Sequence, residues 1–256
     1  LAMRYGSPSI EKTMLQIKND HPCVTEILLV PLYPHYAMSS YETVVEKVRN
    51  HVNLLEHPID LKVFPPFYNS KEYIQLLADK ISEYSPENYD QLLFSYHGIP
   101  ERHVRKTDPS GNHCLKVDNC CEKPHPCQEY CYRHQTLKMT ELINKQLELP
   151  REKIASSFQS RLGNDPWLQP FTDKRLEALP SEGVKKLLIV CPAFVSDCLE
   201  TLEEIEMEGK EEFLENGGEE YQMVPCLNDD DSWADLLSKW ITEFEPEESL
   251  SEANTF

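Results

Sequence analysis

Short apolar runs alternate along this chain with longer stretches whose apolar residues recur at helical spacing. Residues 27–31, Ile-Leu-Leu-Val-Pro, read as a first short strand. Ser39 or Ser40 can cap a helix running to about Glu56, with Val44, Val45, Val48, Val52 and Leu55 on one face. Residues 61–64 form a second strand, stopped by Pro65-Pro66. Asn69 or Ser70 opens a helix through about Tyr84, with Ile74, Leu77 and Ile81 turned inward. The central run is Gln-Leu-Leu-Phe-Ser-Tyr-His-Gly-Ile-Pro at 91–100, where Gly98 and Pro100 end the strand abruptly.

A long polar loop, 101–126, leads to a helix at about 128–148. Residues 154–158 and 186–191 are further strands, with a short helix capped by Asp173 between them. An acidic helix runs from Asp197 to about Asn216, where Gly217-Gly218 stops it. Residues 221–224 make a last strand, and Ser232 caps a closing helix through about Phe244. The first six residues, Leu-Ala-Met-Arg-Tyr-Gly, look like the end of a strand, so the chain is expected to start inside a longer protein.

Strand and helix alternating without a short repeat is the pattern of parallel sheets flanked by helices, an α/β class. The length suggests two such units joined near residues 70–85, although one continuous sheet fits the same alternation. The expected division is 1–75 for a first lobe, 76–228 for a second, and 229–256 for a closing helix and acidic tail that packs back on the first.

Hydrophobic residues make up 40% of the chain, and no run approaches the roughly 18 apolar residues of a spanning helix. A formal net charge of −19 argues against nucleic acid, because phosphate binding needs a basic face. The same charge disfavours tight electrostatic binding to anionic lipid and leaves a peripheral membrane contact open. Nine cysteines without a secretory signal point to reduced thiols and a cytoplasmic location.

Two strand ends carry candidate chemistry. His97 lies just past the carboxyl end of its strand, where open α/β sheets place ligands. It can be a proton acceptor, a metal ligand, or simply a hydrogen-bonded histidine. After the strand at 186–191, Glu200, Glu204 and Glu208 follow at i, i+4 and i+8, on one helical face. They are either an exposed acidic stripe or carboxylates gathered for proton and divalent-cation traffic. Trp167, Phe194 and Tyr96 serve equally as core filling or as walls for a flat aromatic ligand. Cys114, Cys120, Cys121, Cys127 and Cys131 crowd the loop at 111–135. Five cysteines so close suit a [2Fe–2S] cluster or zinc, but the spacing is not a standard pair of C-x-x-C hooks, and plain reduced thiols fit as well.

Several motifs, in order, make the chain similar to the ferrochelatases, which insert ferrous iron into a porphyrin. They are Leu-Phe-Ser-Tyr-His-Gly-Ile-Pro at 93–100, Phe-Gln-Ser-Arg at 158–161 with Pro166-Trp167, and Pro-Ala-Phe-Val-Ser-Asp-Cys-Leu-Glu-Thr-Leu at 192–202. Arg4-Tyr5-Gly6 and Tyr-Pro-His-Tyr at 33–36 match earlier family segments, and the family's amino-terminal portion has no counterpart here. The resemblance implies two Rossmann-like lobes with the active-site cleft between them, the chelatase-like arrangement. It implies that His97 is the metal-site imidazole, that Glu200 faces it across the macrocycle, and that Glu204 and Glu208 continue an acidic track. Arg4, Tyr5, Tyr33, Trp167 and Phe194 would then line the porphyrin pocket.

The implied activity is that of a lyase converting protoporphyrin IX and Fe²⁺ to protohaem, the last step of haem synthesis. Porphyrin and ferrous iron are the expected partners, and the oligomeric state is left open. Alternatives are a coproporphyrin, cobalt or nickel chelatase, or a non-catalytic haem- or metal-binding fragment. Retention of both His97 and Glu200 argues against the last. Some bacterial members carry a cluster on cysteines arranged differently from the animal set, which favours a cluster in the loop. No cysteine follows Cys226, which with Met38 excludes an animal-type site. Cys198 stands where many relatives have a second histidine.

Overall fold

A computed structural model of the chain describes residues 1–53 and 58–245, which fall into two compact α/β units. The larger unit comprises residues 32–42 and 66–230. Its sheet holds four parallel strands, β3 (Gln91–His97), β4 (Ile154–Gln159), β5 (Lys186–Val190) and β6 (Glu220–Val224), in the order β4-β3-β5-β6. Leu92 to Tyr96 are all buried, as a parallel strand covered on both faces requires.

On one face Leu93, Leu187, Ile189, Tyr221 and Met223 join Leu176 and Leu179 from around α6 (Thr172–Ala178) and Phe213 of α8 (Gly209–Glu215) in a single core. Removing each such side chain from water contributes about 1.5–3 kcal/mol. On the other face α3 (Lys71–Ser82) packs with α5 (Tyr132–Leu147), and the Tyr96 hydroxyl meets Thr140 Oγ1 of α5 at 2.8 Å.

Among the described residues the smaller unit takes 1–31, 43–53, 58–65 and 231–245. Its strands β1 (Glu26–Leu29) and β2 (Asp60–Val63) pair in parallel, with Ile27 opposite Leu61. Ile10 and Met14 of α1 (Ile10–Asp20) and Val48 and Val52 of α2 (Thr43–Val52) form its core with Ile27, Leu29 and Leu61. Helix α9 (Asp231–Thr242) stacks Trp240 on Phe64 at 5.1 Å. No described helix is long and apolar enough to cross a membrane.

Several local expectations change. Residues 1–6 are not the end of a strand; only an isolated bridge joins Met3 to Ser9. Helix α1 follows, capped by the Ser9 hydroxyl on the Lys12 N–H and absent from the sequence reading. The polar loop after β3 begins with a helical turn, α4 (Glu101–Lys106). Phe171, not Asp173, is the first-residue cap of α6. Leu55 and Glu56, like the acidic tail at 246–256, lie outside the described residues.

The acidic helix is not a regular one. A short α7 (Leu199–Thr201) runs into a π-helical segment, Leu202–Glu208, before α8. Two tertiary features favour the wider turn. The Tyr221 hydroxyl donates to the Ile205 carbonyl, and Gly209 lies where a Cβ would be 3.0 Å from both that hydroxyl and Leu176.

Candidate active site and cysteine pocket

The sharp end of β3 sets the imidazole. Gly98 donates its N–H to the Gln159 carbonyl at 2.7 Å, and a Cβ there would sit 2.8 Å from that oxygen. His97 Nδ1 lies 2.6 Å from the Gly98 carbonyl. A carbonyl can only accept, so Nδ1 carries the proton and Nε2 keeps its lone pair for a proton or a metal. Trp167 closes one side: its ring carbon would lie 3.3 Å from a Gly98 Cβ, and its indole N–H donates to the Leu162 carbonyl. The Phe194 ring is 6.2 Å from the imidazole. Phe194 therefore borders the imidazole, and Trp167 borders the turn at Gly98 that follows it.

At the end of β5 the start of α7 is fixed by Asp197. Its Oδ1 accepts from the Thr201 hydroxyl and the Cys226 N–H, and its Oδ2 from the Asn228 amide. This presents Glu200 toward His97. A hydrogen bond from the Cys198 thiol holds the Glu200 carboxyl below the usual carboxylate range, and the nearby His97 adds to the effect. The thiol itself is raised to about 11, by burial first and then by Glu200.

Glu200, Glu204 and Glu208 line one cavity of about 580 Å³, together with Ser160, Arg161 and Asp173. The expected column of carboxylates thus survives the π-helical widening. Glu204 is not loose within it: its two oxygens accept from the Ser160 N–H and the Ser160 hydroxyl. Arg161 is occupied by a two-pronged pair with Asp173 at 2.6 and 2.8 Å. Glu208 is exposed at the outer side.

Of the other expected pocket residues, Tyr33 is half-buried in the larger unit. Arg4 and Tyr5 belong to the smaller unit, with the guanidinium 4.7 Å from the Tyr5 ring centre.

The five loop cysteines are drawn into one pocket. Cys114 Sγ lies 3.2 Å from Cys127 Sγ, and the Cys131 thiol interacts electrostatically with those of Cys114 and Cys121. Cys120 Sγ lies 4.0 Å from Cys121 Sγ. Arg133 points its guanidinium at Cys121 and Cys120, at 3.4 and 3.8 Å. Contact with Cys114, ahead of burial, pushes the Cys131 thiol up to about 12. His113 and His125 stack 4.0 Å apart beside Cys127. His113 Nε2 donates to the Cys120 carbonyl and His125 Nδ1 accepts from the Cys127 N–H, which leaves the second ring nitrogen of each histidine beside the Cys127 sulfur. The loop therefore offers both a set of thiols beside a cation and a mixed group of His113, His125 and Cys127 as possible metal donors.

Asp108 organises this loop. Its carboxylate accepts from the Ser110 N–H and hydroxyl and from the N–H groups of His113 and Cys114. Burial opposes its charge, but these donors hold the acid well below its ordinary range. A group with a lowered folded pKa stabilises above its unfolded value, near 3.9, and loses that contribution as pH falls through the folded value. Asp108→Asn is therefore expected to cost about 2 kcal/mol. The difference in urea midpoint between the two proteins should be constant from about pH 5 to 8 and shrink only in stronger acid.

Comparison with known proteins decides the family. The ferrochelatase family model matches residues 1–244. A ferrochelatase of Ectopseudomonas mendocina (strain ymp) is 47% identical over 238 residues, covering 93% of this chain and 69% of that protein. One from Opitutus terrae (strain DSM 11246 / JCM 15787 / PB90-1) is 46% identical over 241 residues, covering 94% and 69%. The chain belongs to the ferrochelatase family.

The fold is similar to that of two solved structures. SirB from Bacillus subtilis with Fe³⁺ superposes with a TM-score of 0.58 at 12% identity, over 94% of this chain and 82% of that one. The sirohydrochlorin chelatase SirB from Bacillus subtilis subspecies spizizenii in complex with cobalt gives 0.56 at 12%, over 93% and 76%. That likeness speaks for the fold alone.

Within this ferrochelatase frame one residue stands out that sequence reasoning missed. Gln159 is buried at the end of β4; its amide oxygen accepts from Ser95, and its amide nitrogen donates to the Glu200 carbonyl at 2.6 Å. It therefore ties β3, which carries His97, to the backbone of Glu200. The signal was a lone amide at the end of an apolar strand, inside the Phe-Gln-Ser-Arg motif.

Proposed function

We propose that this chain inserts Fe²⁺ into protoporphyrin IX to give protohaem, with His97 accepting pyrrole protons and Glu200 handling the metal. Membership of the ferrochelatase family supports the reaction, a porphyrin metal chelation of the lyase class. The observation that carries the residue roles is the pairing of an imidazole with free Nε2 and a charged carboxylate at adjacent strand ends.

Metallation replaces two pyrrole N–H protons by one dication, so two protons leave per turnover. His97 Nε2 takes a proton from a pyrrole nitrogen and must discharge it before accepting the next. Glu208, Glu204 and Glu200 offer a succession of carboxylates along which a hydrated dication exchanges water for oxygen ligands. Glu204, oriented by Ser160, needs no rotamer search to take part. A flat porphyrin hides its nitrogen lone pairs, so Trp167, Phe194 and Tyr33 would use binding energy to hold the ring bent.

Anaerobic incubation with protoporphyrin IX and Fe²⁺ should give haem faster than the protein-free control. Conversion of coproporphyrin alone, or metallation by cobalt or nickel but not iron, would overturn the substrate assignment.

The cysteine pocket belongs to the same reading as a [2Fe–2S] site held by Cys114, Cys121, Cys127 and Cys131, with Cys120, at the end of the run of sulfurs and 4.0 Å from Cys121, left out. A bound cluster would supply a one-electron centre and a cross-link for the loop. Cys120→Ser is expected to keep the visible absorption of anaerobically isolated protein, whereas Cys127→Ser loses it. Loss in both would show that Cys120 is a ligand. Nine cysteines in the sequence fit a reducing, cytoplasmic setting.

A further inference from the structure

Helix α5 begins at the residue after Cys131, and that residue turns its side chain back to the active-site strand. Tyr132 is only 6% exposed, and its hydroxyl donates to the backbone carbonyl of His97 at 2.7 Å. Pairing of β3 with β5 has already stopped at Phe94, so the phenol holds the end of β3 where that neighbour no longer does. The Tyr96–Thr140 hydrogen bond fastens the same helix to β3 further along. Gln135, also on α5, accepts from the Tyr36 N–H and donates to the Glu129 carbonyl just before Cys131.

Tyr132 has little freedom. His35 is 3% exposed and packs edge-on against both Tyr132, at 5.6 Å, and Tyr96, at 5.5 Å. Burial lowers His35 to about 3, so it fills this space as a neutral ring. A displacement of Cys131 is therefore transmitted through one peptide bond to a rigid side chain, and through one hydrogen bond to the His97 carbonyl. The imidazole is bonded in turn to the carbonyl of the next residue, Gly98.

We propose that Tyr132 is a positioning residue for His97 that couples filling of the cysteine pocket to the geometry of the chelatase site. The proposal rests on His97 being the proton acceptor. It gives the loop a role in catalysis without any cysteine touching the porphyrin. Tyr132→Phe removes the hydrogen bond and keeps the ring, so the core around His35 should persist.

The test uses the full chain, wild type and Tyr132→Phe, with Cd²⁺ alone as the probe. Cadmium–thiolate absorption reports pocket filling, and the ring protons of His97, followed by NMR without porphyrin, report the site. Both proteins should show the same thiolate absorption, while the His97 response appears in the wild type and is lost in Tyr132→Phe. In turnover the variant should keep its KM for porphyrin, lose about tenfold in kcat and show a displaced pH–rate midpoint. Equal His97 responses in the two proteins would mean that cadmium reaches the imidazole directly, and would overturn the coupling. A superimposable pH–rate profile would overturn the positioning role. His97→Ala, run alongside, separates the two levels. If it is inactive while Tyr132→Phe matches wild type, the role of Tyr132 fails and that of His97 stands; if it turns over normally, the assignment of His97 fails as well.

Discussion

His97→Ala should bind protoporphyrin but metallate it at least about 100-fold more slowly than wild type. The imidazole contributes little to the fold: it is partly exposed, and its recorded ring hydrogen bond is to the carbonyl of the following residue. The supports of the strand end are backbone groups and the residues around them, namely the Gly98 N–H, the Gln159 carbonyl and the Tyr132 hydroxyl, and alanine leaves all three in place. The loss should therefore fall on kcat, with the porphyrin KM within about twofold and an unchanged urea midpoint. Exogenous imidazole should restore part of the rate, since it supplies the missing acceptor in a space of the right size. Wild-type turnover in the variant would remove His97 from the reaction.

Glu200→Gln is the second large effect. The carboxylate is held below the ordinary acid range by the Cys198 thiol and by His97, so in wild type it remains charged well into mildly acid solution. Glutamine keeps the shape, and the Glu200 backbone carbonyl stays fixed by Gln159. Only the charge is removed. The expected result is a loss of about 100-fold in kcat/KM for Fe²⁺, with porphyrin affinity unchanged. Because the wild-type group titrates low, the acid limb of the wild-type pH–rate profile should not carry its signature, and the variant should keep the same acid midpoint at a lower rate. Steady-state kinetics varying Fe²⁺ at saturating porphyrin measures this. An unchanged iron dependence would reduce Glu200 to a structural residue.

The two ends of the site were legible because each is written as a break in an apolar run. Gly98 and Pro100 after β3, and Pro192 after β5, mark where buried strands surface, and His97 and Glu200 follow directly. The i, i+4 spacing of the glutamates also carried through to one cavity, although the helix bearing them is not regular. The π-helical turn could not be read locally. It depends on Tyr221, sixteen residues from the carbonyl it engages, and on the crowding of Gly209 by Leu176 of another helix.

The roles of Gln159 and Tyr132 were hidden for the same reason. Each looks like ordinary strand or helix content until three elements converge on it. The cysteine loop was legible in composition but not in pairing, because Asp108 folds it through backbone N–H groups that leave no spacing rule in the sequence. Helix α1 is different. Ser9 as a cap with Ile10, Met14 and Ile17 at helical spacing is a local signal, and it was readable.

The most direct test of the central claim is a single-turnover proton count. Anaerobic protein loaded with protoporphyrin IX would be mixed with a stoichiometric amount of Fe²⁺ in weakly buffered indicator, following the porphyrin spectrum and the indicator together. The account predicts that the free-base spectrum converts to that of haem while two protons appear per porphyrin, and that His97→Ala suppresses both signals in parallel. A bound porphyrin whose spectrum shifts but never converts faster than the protein-free control, with no proton release, would contradict it.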